Sequence, residues 1–120
     1  MSTAATFAIN NDGAAVATWA SLAAGETGKA VKMGHITGMK TFTITGTFGG
    51  ATVSIEGSND GTTWMAVRMA DYTAGDYETV SAIAAARSGA MIENPLLLRP
   101  VIAGGAGTDI KVMIAASSRN

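Results

Sequence analysis

Gly57-Ser58-Asn59-Asp60-Gly61-Thr62-Thr63-Trp64 joins two runs in which polar and apolar residues alternate. The run before it places Val53 and Ile55 on one face of an extended chain, and residues 64–69 alternate in the same way. Asp-Gly favours the positive φ angles of a tight turn, and a neighbouring Asn or Ser bonds to the turn's own backbone. The stretch therefore predicts a β-hairpin, with Asp60 as a turn residue rather than an acid catalyst.

Similar short runs recur along the chain, separated by glycine-rich turns. We predict strands at residues 6–9, 15–22, 30–33, 40–48, 51–57, 63–69, 77–83, 96–103 and 109–115. This spacing is typical of an all-β fold, a single-domain antiparallel β-sandwich or jelly roll. The alanine-rich segment 81–90 is expected to hold at most one short helical turn. Residues 11–120 form the predicted domain, and residues 1–10 are interpreted as a flexible N-terminal arm.

Two of these strands show which face is buried. In strand 40–48, threonines alternate with Phe42 and Ile44, which predicts one wet face and one core face. In the last strand, the residues expected to face the core are Ile110, Val112 and Ile114.

The connections predict how the strands pair. Gly49-Gly50 links two strands, so residues 40–69 are expected to form a three-stranded meander. The loop 104–108 is expected to close a second hairpin between strands 96–103 and 109–115. Pro100 lies inside the first of these and cannot donate a ladder hydrogen bond, so we expect that strand at a sheet edge or at a bulge.

The composition excludes several classes of function. The 120 residues contain no cysteine, which excludes disulfides, thiolate metal sites and a cysteine nucleophile. The net charge of -1 provides no basic surface for nucleic acid or anionic lipid, and no apolar run approaches the ~20 residues that cross a bilayer. Only 14% of residues are charged, which favours a surface that meets other protein, in a homo-oligomer or larger assembly.

Few residues carry chemistry. His35 is the one histidine, and we interpret it as a loop residue rather than a metal ligand or catalytic base. Asp71, Tyr72 and Asp76 form the best polar cluster and are a candidate glycan or calcium contact, but an exposed loop whose aspartates make local turn bonds is the favoured interpretation. We therefore expect no enzyme activity, no metal and no cofactor.

The aromatic and methionine residues have two interpretations. Trp19 and Trp64 are expected in the core, but an exposed Trp64 beside Asp71, Tyr72 and Asp76 would provide a stacking platform for sugar rings. Met65 and Met69 are expected to share a face opposite Trp64 and to contact another subunit.

Two stretches, residues 53–64 and 98–110, resemble small virion proteins of tailed bacteriophages, particularly capsid decoration or cement proteins. The resemblance implies a β-sandwich or jelly-roll subunit, often a trimer, that sits on the outer capsid surface and ties major capsid proteins together. It implies no catalytic residues.

The function expected from the sequence is thus a homotrimeric decoration protein whose partners are itself and a major capsid protein. The expected capsid or subunit contacts are Thr3, Thr6, Phe7, Ile9, Met65, Met69 and Arg99. The alternatives are a carbohydrate-binding module and a structural protein of the phage tail or neck.

Overall fold

The computed structural model describes residues 5–9, 14–33, 40–71 and 76–117. Within these ranges the regular structure consists of strands, with no helix. The strands are β1 (Thr6–Ile9), β2 (Ala14–Leu22), β3 (Val31–Lys32), β4 (Lys40–Thr47), β5 (Thr52–Ser58), β6 (Met65–Ala66), β7 (Arg68–Asp71), β8 (Asp76–Thr79), β9 (Arg87–Met91), β10 (Leu97–Ala103) and β11 (Asp109–Ser117).

The strands form two antiparallel sheets. The larger has seven strands in the order β1-β2-β11-β4-β9-β7-β8, and the smaller has four in the order β3-β10-β5-β6. The inward residues of both sheets form one apolar cluster, so the molecule is a single-domain β-sandwich. The predicted all-β fold class is confirmed.

The alternation of residues determines which faces meet. Phe42 and Ile44 of β4 are fully buried while Thr41 and Thr43 are exposed, as predicted. The three inward residues of β11 are also fully buried, and so is Trp19 of β2. The smaller sheet contributes Val53, Ile55, Leu98 and Ile102 to the same core.

The predicted pairing of neighbouring strands is wrong at two glycine-rich turns. β4 lies in the larger sheet and β5 in the smaller one, so the chain crosses between sheets at Gly49-Gly50 instead of forming a meander. In the same way β10 pairs with β3 and β5, whereas β11 pairs with β2 and β4, so residues 104–108 do not close a hairpin. The two crossing turns lie against each other, because Ala106 N–H donates to the Gly49 carbonyl at 3.0 Å.

The predicted strand 63–69 is divided at Val67. Its first part, β6, pairs with β5 in the smaller sheet, and its second part, β7, pairs with β8 and β9 in the larger one. The strand predicted at 77–83 divides in the same way, since β8 ends at Thr79 and Val80 then accepts a hydrogen bond from Ile55 N–H. Val80 N–H donates to the Val67 carbonyl at 2.7 Å, so the two chains change sheets side by side.

The alanine-rich segment forms no helical turn. Ile83 makes a bridge to Val53, which places residue 83 against the smaller sheet, and Arg87–Met91 forms β9 of the larger sheet. Ala82 has a φ of 54°, the left-handed conformation that reverses the chain just before this bridge. Pairing with both sheets therefore overrides the helix propensity of the alanines.

Pro100 does not mark a sheet edge, because β10 lies between β3 and β5. Its partner in β5 is Ile55, whose N–H donates to the Val80 carbonyl and whose carbonyl accepts from Val67 N–H. Both groups point away from β10, so the missing N–H of Pro100 leaves no acceptor of Ile55 without a donor. On the other side the Pro100 carbonyl accepts from Gly28 N–H at 2.9 Å. A β-carbon at Gly28 would lie 2.7 Å from the proline ring, so glycine allows the close approach.

We expect Gly49→Ala to destabilise the fold far more than Gly107→Ala. Both glycines have left-handed φ angles, 57° and 63°, for which a side chain costs about 1–2 kcal/mol. A β-carbon at Gly49 would also lie 2.1 Å from the Ala106 carbonyl oxygen, whereas one at Gly107 meets no atom within 4 Å. Denaturant unfolding of both variants measures the difference, and equal losses would contradict close packing of the two crossing turns.

Candidate interaction surfaces

The outer face of the larger sheet is broad and poor in charge. Paired residues of an antiparallel sheet point to the same side, so the register defines rows across the strands. One row runs through Thr6, Thr18, Met113, Thr43 and Ser88. Neither this row nor the next contains a charged residue. We call these two rows the threonine face.

The second row of the threonine face runs through Val16, Ala115, Thr41 and Ala90. Val16 and Ala115 are partly exposed and Thr41 is exposed. Beyond the first row, Lys111 pairs with Thr45 and introduces a positive charge at one margin. Small uncharged side chains on a sheet allow close approach of another protein surface without desolvating a charge.

The turn at residues 58–63 is a hydrogen-bonded unit. Asp60 Oδ1 accepts from the N–H groups of Thr62 and Thr63 at 2.8 and 2.7 Å and from Ser58 Oγ at 3.0 Å. These donors stabilise the carboxylate, and the backbone bonds, from Thr63 first, lower the pKa of Asp60 well below its usual value. Asp60 is therefore the turn residue predicted from the sequence.

Arg99 covers one face of the Trp64 ring. Its guanidinium carbon lies 3.9 Å from the ring centroid, and its Nε and Nη2 donate to Glu56 Oε1 at 3.0 and 2.9 Å. Glu56 and Arg99 are paired across β5 and β10, so the sheet register itself brings them together. Trp64 is half-buried, whereas Trp19 is fully buried and donates from Nε1 to the Lys29 carbonyl.

The proposed glycan residues are distributed over both sheets. Trp64 precedes β6 of the smaller sheet, whereas Asp71 and Asp76 pair with each other at the end of the β7–β8 hairpin of the larger sheet. Tyr72 lies outside the described residues. The stacked guanidinium leaves a sugar ring access to at most one face of Trp64.

The predicted contact residues also separate. Met65 is 71% exposed, but Met69 is 1% exposed and packs in the core, so the expectation that they share a face is wrong. The change of sheet at Val67 reverses the alternation between them. Thr6, Phe7 and Ile9 lie in β1, the edge strand paired with β2, and Thr3 lies outside the described residues.

A cavity of about 520 Å³ opens beside β6. Its walls come from the turn, from β6 with the start of β7, and from the loop before β10; the lining residues are Gly57, Ser58, Asn59, Asp60, Thr63, Met65, Ala66, Val67, Arg68, Glu93, Asn94 and Pro95. Asn59 Oδ1 accepts from Leu96 N–H at 3.0 Å and joins the turn to that loop. The sequence analysis missed this cavity, because its walls are distant in sequence.

Lys40 is a second feature that the sequence analysis missed. It is 2% exposed and its Nζ donates to Asn94 Oδ1. The alternation of β4 indicates this burial, because Lys40, Phe42 and Ile44 are spaced two residues apart and so lie on the same inward face. Burial lowers the pKa of the Lys40 amine below its usual value.

No group of three potential metal ligands occurs within the described ranges, and His35 lies outside them. In the same part of the chain, no helix is long and apolar enough to cross a membrane.

The fold defines a single-domain antiparallel β-sandwich. No protein-family model matches the chain, and no curated protein matches it. Among solved structures, the fold is similar to that of the SPBc2 prophage-derived protein YomS, with a TM-score of 0.67. The similarity covers 86% of this chain and 93% of YomS at 11% sequence identity, so it shows a shared fold over nearly the whole of both chains.

We expect Asp60→Asn to lower the thermal stability at pH 7 and to have a progressively smaller effect as the pH falls below 3.8. The folded state lowers the pKa of Asp60 below the usual 3.8, so the ionised carboxylate stabilises the fold above that pH and the stabilisation is lost as the pH falls below it. Melting temperatures of both proteins between pH 2 and pH 7 test this. A difference that does not change with pH would contradict the role of the charge.

We expect Arg99→Ala to expose the Trp64 ring to solvent and to destabilise the fold by about 1 kcal/mol, since both the ring contact and a partly exposed ion pair are lost. Iodide should quench the tryptophan fluorescence more strongly in this variant, because Trp19 is buried in both proteins. Arg87→Ala is the matched control, as Arg87 also pairs with a glutamate, Glu78, at 2.6 Å. Unchanged quenching in Arg99→Ala would contradict the stacking.

Proposed function

We propose that this chain is a structural protein of a phage particle and acts as a capsid decoration protein. The observation that carries the proposal is the fold shared with a prophage-derived protein over 86% of this chain and 93% of the other. The resemblance of residues 53–64 and 98–110 to decoration proteins supports the same class. The proposed activity is binding, with no enzymatic step.

The threonine face is the proposed contact surface. It spans at least five strands, and its two rows carry no charge. A decoration protein that binds as a homotrimer multiplies a modest affinity per contact by engaging several sites at once. We propose that the threonine face packs against the other copies and that Met65, exposed at the opposite sheet, contacts the major capsid protein.

The N-terminal residues are proposed to contribute to attachment. Residues 6–9 form an edge strand on the larger sheet, so the residues before them start from the margin of the threonine face. Deletion of residues 2–4, which leaves β1 in place, is therefore proposed to weaken attachment to the shell more than folding.

A tail or neck structural protein remains the principal alternative, because the same fold similarity supports it equally. The carbohydrate-binding alternative receives less support, because Arg99 covers one face of Trp64 and the aspartates lie in the other sheet.

We expect the purified chain to have three times its monomer mass by light scattering after size exclusion, and to co-sediment with expanded capsid shells of the phage whose genome carries it. Thr43→Lys places a charge in the middle of the threonine face and should give a monomer with at least tenfold weaker shell binding. Thr62→Lys, in the exposed turn on the other sheet, is the matched control for oligomerisation and should keep the trimer mass of the wild type. A monomeric wild type that does not bind shells would overturn the proposal, and binding to tails instead would favour the alternative.

A further inference from the structure

Lys40 is placed among apolar side chains. The register puts it in a row with Ala116 of β11, Met91 of β9 and, through Met91, Met69 of β7. These residues are at most 4% exposed. An amine in such surroundings loses much of its hydration, which shifts its equilibrium toward the neutral form. The neutral amine is the form that acts as a nucleophile.

The Lys40 amine meets a carboxamide. Lys40 Nζ contacts Asn94 Oδ1, and Asn94 Cγ is the atom bonded to that oxygen. The contact joins the first residue of β4 to the loop that leads from β9 of the larger sheet to β10 of the smaller one. The contact is part-buried and holds the primary amine beside the carboxamide group with which it would react, and such proximity lowers the barrier to amide exchange.

From this arrangement we propose that Lys40 and Asn94 form an intramolecular isopeptide bond without an added enzyme. The Nζ lone pair attacks Asn94 Cγ, the new Cγ–Nζ bond forms, and the Cγ–Nδ2 bond breaks. One proton from the amine passes to the departing nitrogen, which leaves as ammonia. No oxidation or reduction occurs, and the product is an ordinary secondary amide.

The cavity beside β6 provides the exit and a proton carrier. Asn94 lines this cavity, so ammonia can leave through it. Two carboxylates also line it, Asp60 and Glu93. Asp60 is held in its turn, because one of its carboxylate oxygens accepts hydrogen bonds from three donors. Glu93 lies in the loop after β9, next to Asn94, and its carboxylate accepts a hydrogen bond from Arg68 N–H at 2.7 Å. We assign the proton transfer to Glu93.

Peptide mapping of the purified full chain by mass spectrometry tests the bond. Trypsin cannot cleave after a cross-linked Lys40, and Arg99 precedes a proline, so the expected product is a branched species that joins residues 33–68 to residues 88–111 and lacks one ammonia. A linear peptide that has lost ammonia would instead indicate succinimide formation at an asparagine, which joins no second peptide. Asn94 itself cannot form a succinimide with the next residue, because Pro95 has no N–H.

Variants provide the controls. Lys40→Met, whose side chain matches the apolar row, and Asn94→Ala should both give only linear peptides. Lys111→Met should still give a branched species, which now joins residues 33–68 to residues 88–119 because the trypsin site at 111 is lost. The cross-link closes a long loop, so Asn94→Ala should also melt roughly 10 °C below the wild type. Linear peptides from the wild type, with residues 33–40 released, would overturn the proposal. Glu93→Gln should slow branching, and unchanged kinetics would overturn the assignment of Glu93.

Discussion

The structure depends on burying the inward faces of two sheets against each other. Every long strand offers one apolar face, and burial of these faces against each other is the main interaction between the sheets. Trp19 and Phe42 of the larger sheet and Ile55 and Leu98 of the smaller one meet in one continuous core. The chain must therefore cross repeatedly from one sheet to the other, and the crossings determine the topology.

Two kinds of crossing serve this constraint. At one end the turns beginning at Gly49 and at Gly104 pass between the sheets side by side, in backbone conformations that favour glycine. At the lateral edge, Val67 and Val80 change sheets without a turn and bond to each other as they do so. This second crossing closes the sandwich along one side and leaves β6 only two residues long. A very short edge strand limits unwanted pairing with other chains.

The local pattern predicted the strands well and their partners poorly. Periods of two residues identified the buried faces of β4 and β11, because burial of alternate residues is a local property. Gly49-Gly50 could turn the chain back beside β4 or carry it to the other sheet. The outcome depends on which distant strands pair with β4, and local sequence contains no information on that. Alternation continued through Val67 in the sequence, so the reversal between Met65 and Met69 was not visible either.

The position of Lys40 follows from the same constraint and shows its cost. Alternation in β4 requires the residue two before Phe42 to face inward, and a buried ammonium group needs hydrogen-bond partners to offset the cost of its lost hydration. A carboxamide contact from Asn94 offsets part of that cost, and conversion of the amine into a neutral amide would remove the charge altogether. An inward lysine at the margin of a core is thus tolerated where its nitrogen has a hydrogen-bond partner. Here that contact joins the loop between the two sheets to the central strand of the larger one.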